Sequence, residues 1–70
     1  MMPLTMAKAG EHISIKKIGG KAEIKLHLEN LGFTIGTPLM VITEIGGNVI
    51  VNVKESRVAI SREMASKILV

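Results

Sequence analysis

Two histidines and six acidic residues, all of them glutamates, are the side chains in this chain best suited to metal or acid–base chemistry. The candidate ligands are His12, His27, Glu11, Glu23, Glu29, Glu44, Glu55 and Glu63. Glu23 and His27 stand four apart and share one face of any helix that carries them, which is usable ligand spacing. Two ligands do not make a selective site, and neither an HxxxH pair nor a third ligand accompanies them. A weak solvated pair is the favoured reading, so no metal and no cofactor are expected. Catalysis is equally poorly supplied, since cysteine, aspartate and tyrosine are absent and no serine–histidine–carboxylate set has readable spacing. Gly19-Gly20-Lys21 lacks the GxxxxGK[ST] pattern that cradles phosphates. The sequence therefore predicts no catalytic residue and no enzyme.

The elements that would position these groups belong to one short unit, residues 1–70, without repeat or linker. A chain of this length buries only about 60% of the surface its unfolded form exposes. With no cysteine there is no disulfide to help. Aliphatic residues dominate instead, and Phe33 is the single aromatic. That aliphatic content either fills a rich core or leaves surface for a partner or a second copy. No apolar run exceeds four residues (Leu39 to Ile42), against the roughly 20 a membrane helix needs, so no membrane insertion is expected. The N-terminus lacks the apolar segment of a secretory signal, which makes the cytoplasm the default location. A net charge of +3 is ordinary solubility charge and no nucleic-acid footprint.

Glu11 to Lys16 alternates polar and apolar, as a half-buried strand does, and Gly19-Gly20 ends it. Leu39 to Ile45 is a second strand, and Gly46-Gly47-Asn48 turns the chain into Val49 to Val53, with Val49, Val51 and Val53 on the core face. Glu55-Ser56 turns the chain into a further short strand at Arg57 to Ile60. Ser61 caps a helical turn over Arg62 to Ser66, and Ile68 to Val70 closes the chain as a strand. Residues 21–31 fit both periods, but good helix formers and a glycine stop at Gly32 favour helix. Gly36 and Pro38 then reverse the chain into the next strand. The expected fold is mainly β, a small SH3-like barrel of five or six short strands. It carries one helix and a short C-terminal helical turn, and closure of the sheet limits exposed edges.

The helix has a consequence for surface chemistry. At about 100° per residue, Leu28 and Leu31 lie within about 40° of Ile24, whereas Leu26 lies about 200° away. Leu26 therefore faces outward with Ala22 near it. A lone surface leucine needs no explanation; the alternative is a contact point, with Ala22, Leu26, Lys21 and Lys25 as the candidate residues. Lys16, Lys17, Lys21 and Lys25 form a basic corner that suits an acidic protein face. Nucleic acid is not expected, because a single aromatic residue offers no stacking platform.

The ordered set Leu28-x-x-Leu31-Gly32-Phe33-x-x-Gly36-x-x-Leu39 resembles the signature of the FeoA family. Leu4, Ile13 and Ile15, Gly46-Gly47, Arg57 to Ile60 and Ala65-x-x-Ile68-x-Val70 extend the similarity nearly end to end. Two positions depart: Ile35 replaces the usual proline before the second glycine, and Leu26 replaces a usual polar residue. The resemblance implies an SH3-like domain related to the C-terminal domain of diphtheria-toxin-repressor-type iron-dependent regulators. It implies a non-enzymatic cytosolic accessory protein of ferrous iron transport, with transition-metal binding as a family-level property. The implied partner is a FeoB-type membrane permease or its GTPase domain, and self-association is a further expectation. The alternatives are a repressor-like regulatory domain, here without a helix-turn-helix, a small RNA-binding barrel, or a metal chaperone dependent on His27.

Overall fold

Branched aliphatic residues at every second position of Asn48–Val53 place that segment at the centre of the sheet. This strand, β4, buries Val49, Val51 and Val53 on one side. It pairs antiparallel with β3 (Pro38–Ile45) and β5 (Ser56–Ser61), and β1 (His12–Ser14) adds to the far side of β3. The sheet order is β1-β3-β4-β5 in a computed structural model that describes residues 1–70. Two-residue turns join the central strands. Gly46-Gly47 lies between the paired Ile45 and Asn48, and Lys54-Glu55 between Val53 and Ser56. All four turn residues have positive φ, which matches the twist of the flanking strands.

The strand expected over Glu11 to Lys16 is shorter and gives way to a second one. Ile15 N–H still donates to Thr37 C=O (3.1 Å), but Lys16 N–H donates to Leu69 C=O (2.8 Å), so the chain changes sheets there. Strand β2 (Lys17–Ile18) then pairs with β6 (Ile68–Leu69) in a separate two-stranded ribbon. Beside it Met2 and Val70 exchange backbone hydrogen bonds of 2.9 and 2.8 Å, tying the two ends together. Leu4 opens a 3-10 turn (Leu4–Met6) and is buried in the core.

Full closure of the barrel does not occur. Strand β5 pairs only with β4, because the chain passes from Ser61 directly into α2 (Arg62–Ala65). Ser61 Oγ accepts the Met64 N–H at 3.2 Å, the cap expected there, and turns the backbone away before it can meet another strand.

Helix α1 (Ala22–Asn30) is one residue shorter at each end than expected, because Lys21 and Leu31 serve as its N-cap and C-cap. Its C-terminus carries the motif that organises the next ten residues. Gly32 takes φ +101°, Gly32 N–H donates to Glu29 C=O and Phe33 N–H to Leu28 C=O, both at 2.9 Å. These are the two bonds of a Schellman cap, and its accompanying apolar contact falls to Leu28 and Phe33, both 0% exposed. Thr37 N–H donates back to Thr34 C=O (3.0 Å), with Gly36 at φ +87°. Positive φ at only the third residue makes this a type II turn, whose second position, Ile35, is the one proline favours.

Two predictions follow from this corner. A side chain at Gly32 would meet only Lys54 Cδ, at 3.8 Å, so the obstacle is backbone conformation and not space. Gly32→Val is therefore expected to lower stability by more than about 1 kcal/mol in chemical denaturation. Equal midpoints and slopes would remove the helix-stop argument. Ile35 is 71% exposed and its N–H makes no backbone hydrogen bond. Ile35→Pro should add about 0.4–1 kcal/mol by restricting the unfolded chain, and a lower melting temperature would contradict the turn assignment.

Candidate protein-interaction surface

Helix α1 divides its leucines sharply. Leu28 points into the core, with Ile24 and Leu31 packed against the same cluster, while Leu26 is 58% exposed. Ala22, one turn before Leu26, is exposed on the same helix face. Lys21 and Lys25 are a second exposed pair one turn apart. Lys21 occupies the N-cap without any side-chain cap bond, leaving a cation at the positive end of the helix. Like charges four apart on a helix cost a few tenths of a kcal/mol. Neither choice serves the helix itself.

The basic corner read from the sequence is rearranged. Lys17 faces outward on the β2–β6 ribbon, opposite in phase to the buried Ile18 and Ile68. Gly19 N–H donates to Lys67 C=O at 2.7 Å, which sets Lys67 beside Gly19 and Gly20. The Lys67 stem and the Ile24 side chain flank Gly20, each 3.7 Å from the position a Cβ would take. Lys67 thus joins Lys17, Lys21 and Lys25, a neighbour that local sequence could not reveal. The matched apolar–polar phases of Lys17-Ile18 and Lys67-Ile68 were the available signal. Lys16 turns the other way, and its Nζ donates to Ser14 Oγ at 3.3 Å. The single ion pair of the structure, Arg62–Glu44, lies elsewhere, so none of the corner lysines has a carboxylate partner.

Chemistry finds little purchase. No three histidine or glutamate side chains converge anywhere, and Glu23 and His27 have no third ligand. A hollow beside β1 brings His12, Ser14 and Lys16 together with Pro38 and Val70. Lys16 is exposed there, and its Nζ is the donor to Ser14 Oγ. A second hollow, between the N-terminal turn and β3, is lined by Leu4, Ala7, Val41 and Val49 together with Thr5, Thr43 and Glu44. The Glu44 carboxylate is paired with Arg62. Phe33, fully buried, offers no surface ring for stacking bases or for a proline-rich peptide.

Comparison with known proteins gives this arrangement a context. The FeoA domain family matches residues 2–70. The chain is 41% identical over 70 residues to a protein of Methanocaldococcus jannaschii named "Putative Fe(2+) transport protein A", covering all of this chain and 85% of that one. The crystal structure of Stenotrophomonas maltophilia FeoA complexed with zinc, described as a procaryotic SH3 domain protein, superposes with a TM-score of 0.82. Its identity is 20%, over 99% of this chain and 88% of that one. A manganese-dependent transcriptional repressor shares the fold with a TM-score of 0.85 and 17% identity, over 94% of this chain and 38% of the repressor. The fold is SH3-like, with an open sheet.

Chelation tests the metal geometry of this chain directly. Dialysis against a chelator should leave its melting curve unchanged, since a structural metal would otherwise contribute folding energy. A marked drop in melting temperature would establish such a metal and return His12 and His27 to consideration.

Proposed function

The chain belongs to the FeoA family, and from that premise we propose that it is a non-enzymatic cytoplasmic accessory of ferrous iron uptake that docks through α1 on a FeoB-type permease or its GTPase domain. Membership supports the role in ferrous iron transport. The observation that supports docking through α1 is the exposed Leu26 with Ala22 beside it, next to cations that no carboxylate of this chain engages. An apolar centre with a charged rim is the common anatomy of a protein contact. Burying a leucine side chain contributes about 1.5–3 kcal/mol, and Lys17, Lys21, Lys25 and Lys67 steer an acidic surface toward it. No helix of the chain is long and apolar enough to cross a membrane, so its action on a permease comes by contact. It carries no phosphate loop, and any influence on GTP turnover would also pass through that contact.

Leu26→Glu tests this reading. Its effect on folding stability should stay under about 1 kcal/mol, as for other exposed positions. Capture of the partner's GTPase domain should weaken about thirtyfold or more, equivalent to about 2 kcal/mol. Unfolding of the variant would place Leu26 in the core, and unchanged stability with unchanged capture would move the contact elsewhere.

A further inference from the structure

The exposed face of α1 carries charges of both signs, arranged around one large apolar side chain. With Leu26 as centre, Glu29 and Lys25 lie on one side, at about 60° and about 100° around the helix. Glu23 and His27 lie on the other side, at about 60° and about 100°. All four are exposed, and none makes an ion pair within the chain. Lys25 and Glu29 stand four apart with the lysine first, which is the weaker order for a pair within one helix.

Turned end for end, this face is its own complement. When Leu26 meets Leu26 of a second, antiparallel copy, each flank faces the same flank reversed. At a rise of about 1.5 Å per residue, Lys25 lies about 3 Å along the axis from Glu29 of the second copy. Glu23 lies equally close to His27 of the second copy. We propose that a second copy covers this face, antiparallel about a two-fold axis at Leu26, until a permease partner displaces it, an inference that rests on α1 being the docking face.

Charge favours this occupant. An acidic surface satisfies the lysines but opposes Glu23 and Glu29 on either side of Leu26, whereas the reversed copy brings a cationic or donor side chain to each. Charge also selects the antiparallel sense. A parallel pair would gather Lys17, Lys21, Lys25 and Lys67 of both copies at one end, with the two helix dipoles aligned. The antiparallel pair parts the basic corners and opposes the dipoles. The axis falls at Leu26 because no other large apolar side chain of the helix is exposed, and a shift along the helix separates the two leucines. Such a contact is closed and isologous. Nine residues give about 13 Å of helix, too little for the roughly 1,200 Å² that a stable interface buries. The dimer is therefore weak and readily exchanged, and it leaves Lys17 and Lys67 free to steer the partner in.

Sedimentation of the unmodified protein should show a concentration-dependent dimer, and Leu26→Glu should weaken it about tenfold or more. Leu26→Lys should do the same. An equimolar mixture of the two variants should associate again, because residue 26 of one copy meets residue 26 of the other. The chain has no cysteine, so added thiols report the orientation. Ala22→Cys mixed with Asn30→Cys, level with each other in the antiparallel pair, should link under mild oxidation much faster than either variant alone. Saturating GTPase domain of a FeoB-type permease should dissolve the dimer. A protein that stays monomeric to its solubility limit would overturn the proposal even where the domain binds α1. So would a dimer that Leu26→Glu leaves intact, faster linkage of Ala22→Cys alone, or a dimer that persists in complex with the domain. A dimer held through Leu26 that the domain does not bind would refute docking through α1 and leave the self-contact standing.

Discussion

The bond from Phe33 N–H to Leu28 C=O fixes more of this molecule than any other single contact. It requires Gly32 at positive φ, and it brings the Leu28 and Phe33 side chains into one core cluster as the helix ends. The chain leaving Phe33 then has few choices. Gly36 N–H reaches Ile15 C=O at 2.7 Å, Ile15 N–H reaches Thr37 C=O, and Thr37 is the one buried polar residue, its hydroxyl 2.6 Å from that of Thr34. That clamp sets where β1 ends and β3 begins. A buried polar group so satisfied specifies geometry, since misplacing it would leave its hydrogen bonds unmade in the interior.

Because α1 is held by its C-terminal cap and by Leu28 and Ile24 against the core, the opposite face of its N-terminal half is released from structural duty. A lysine sits at the N-cap where serine, threonine, aspartate or asparagine would stabilise the helix, and a second lysine follows one turn later. Leu28 alone is buried along the helix. A helix of nine residues would be marginal by itself. Cap and core contact carry it, and Ala22 and Leu26 remain on a face the fold does not use. Sequence choices that cost local stability while adding nothing to the core are the choices a binding surface would retain.

Local rules made much of this legible. The Gly46-Gly47 turn, the valine alternation of β4, the Ser61 cap, the glycine stop at Gly32 and the outward phase of Leu26 all rest on contacts within a few residues. What escaped the sequence depends on partners far along the chain. The alternation from Glu11 to Lys16 could not show that Lys16 leaves β3 for Leu69, because either partner suits the same pattern. Lys67 enters the basic corner only through that pairing. The second turn falls at Lys54-Glu55, one residue before the Glu55-Ser56 expected, for a different reason: both residues adopt positive φ without being glycine, so the tight β4–β5 pairing overrides their local preference. The open β5 edge likewise follows from how abruptly α2 begins, which no periodicity encodes.

The proposed α1 docking surface is tested most directly by mapping amide chemical shifts of isotopically labelled protein as a FeoB-type GTPase domain is titrated in. The largest changes are expected on Lys21, Ala22, Lys25 and Leu26, extending to Lys17 and Lys67, while the amides of β5 stay still. Changes confined to β5 or to the hollow beside Leu4 and Val41, with α1 unmoved, would contradict it.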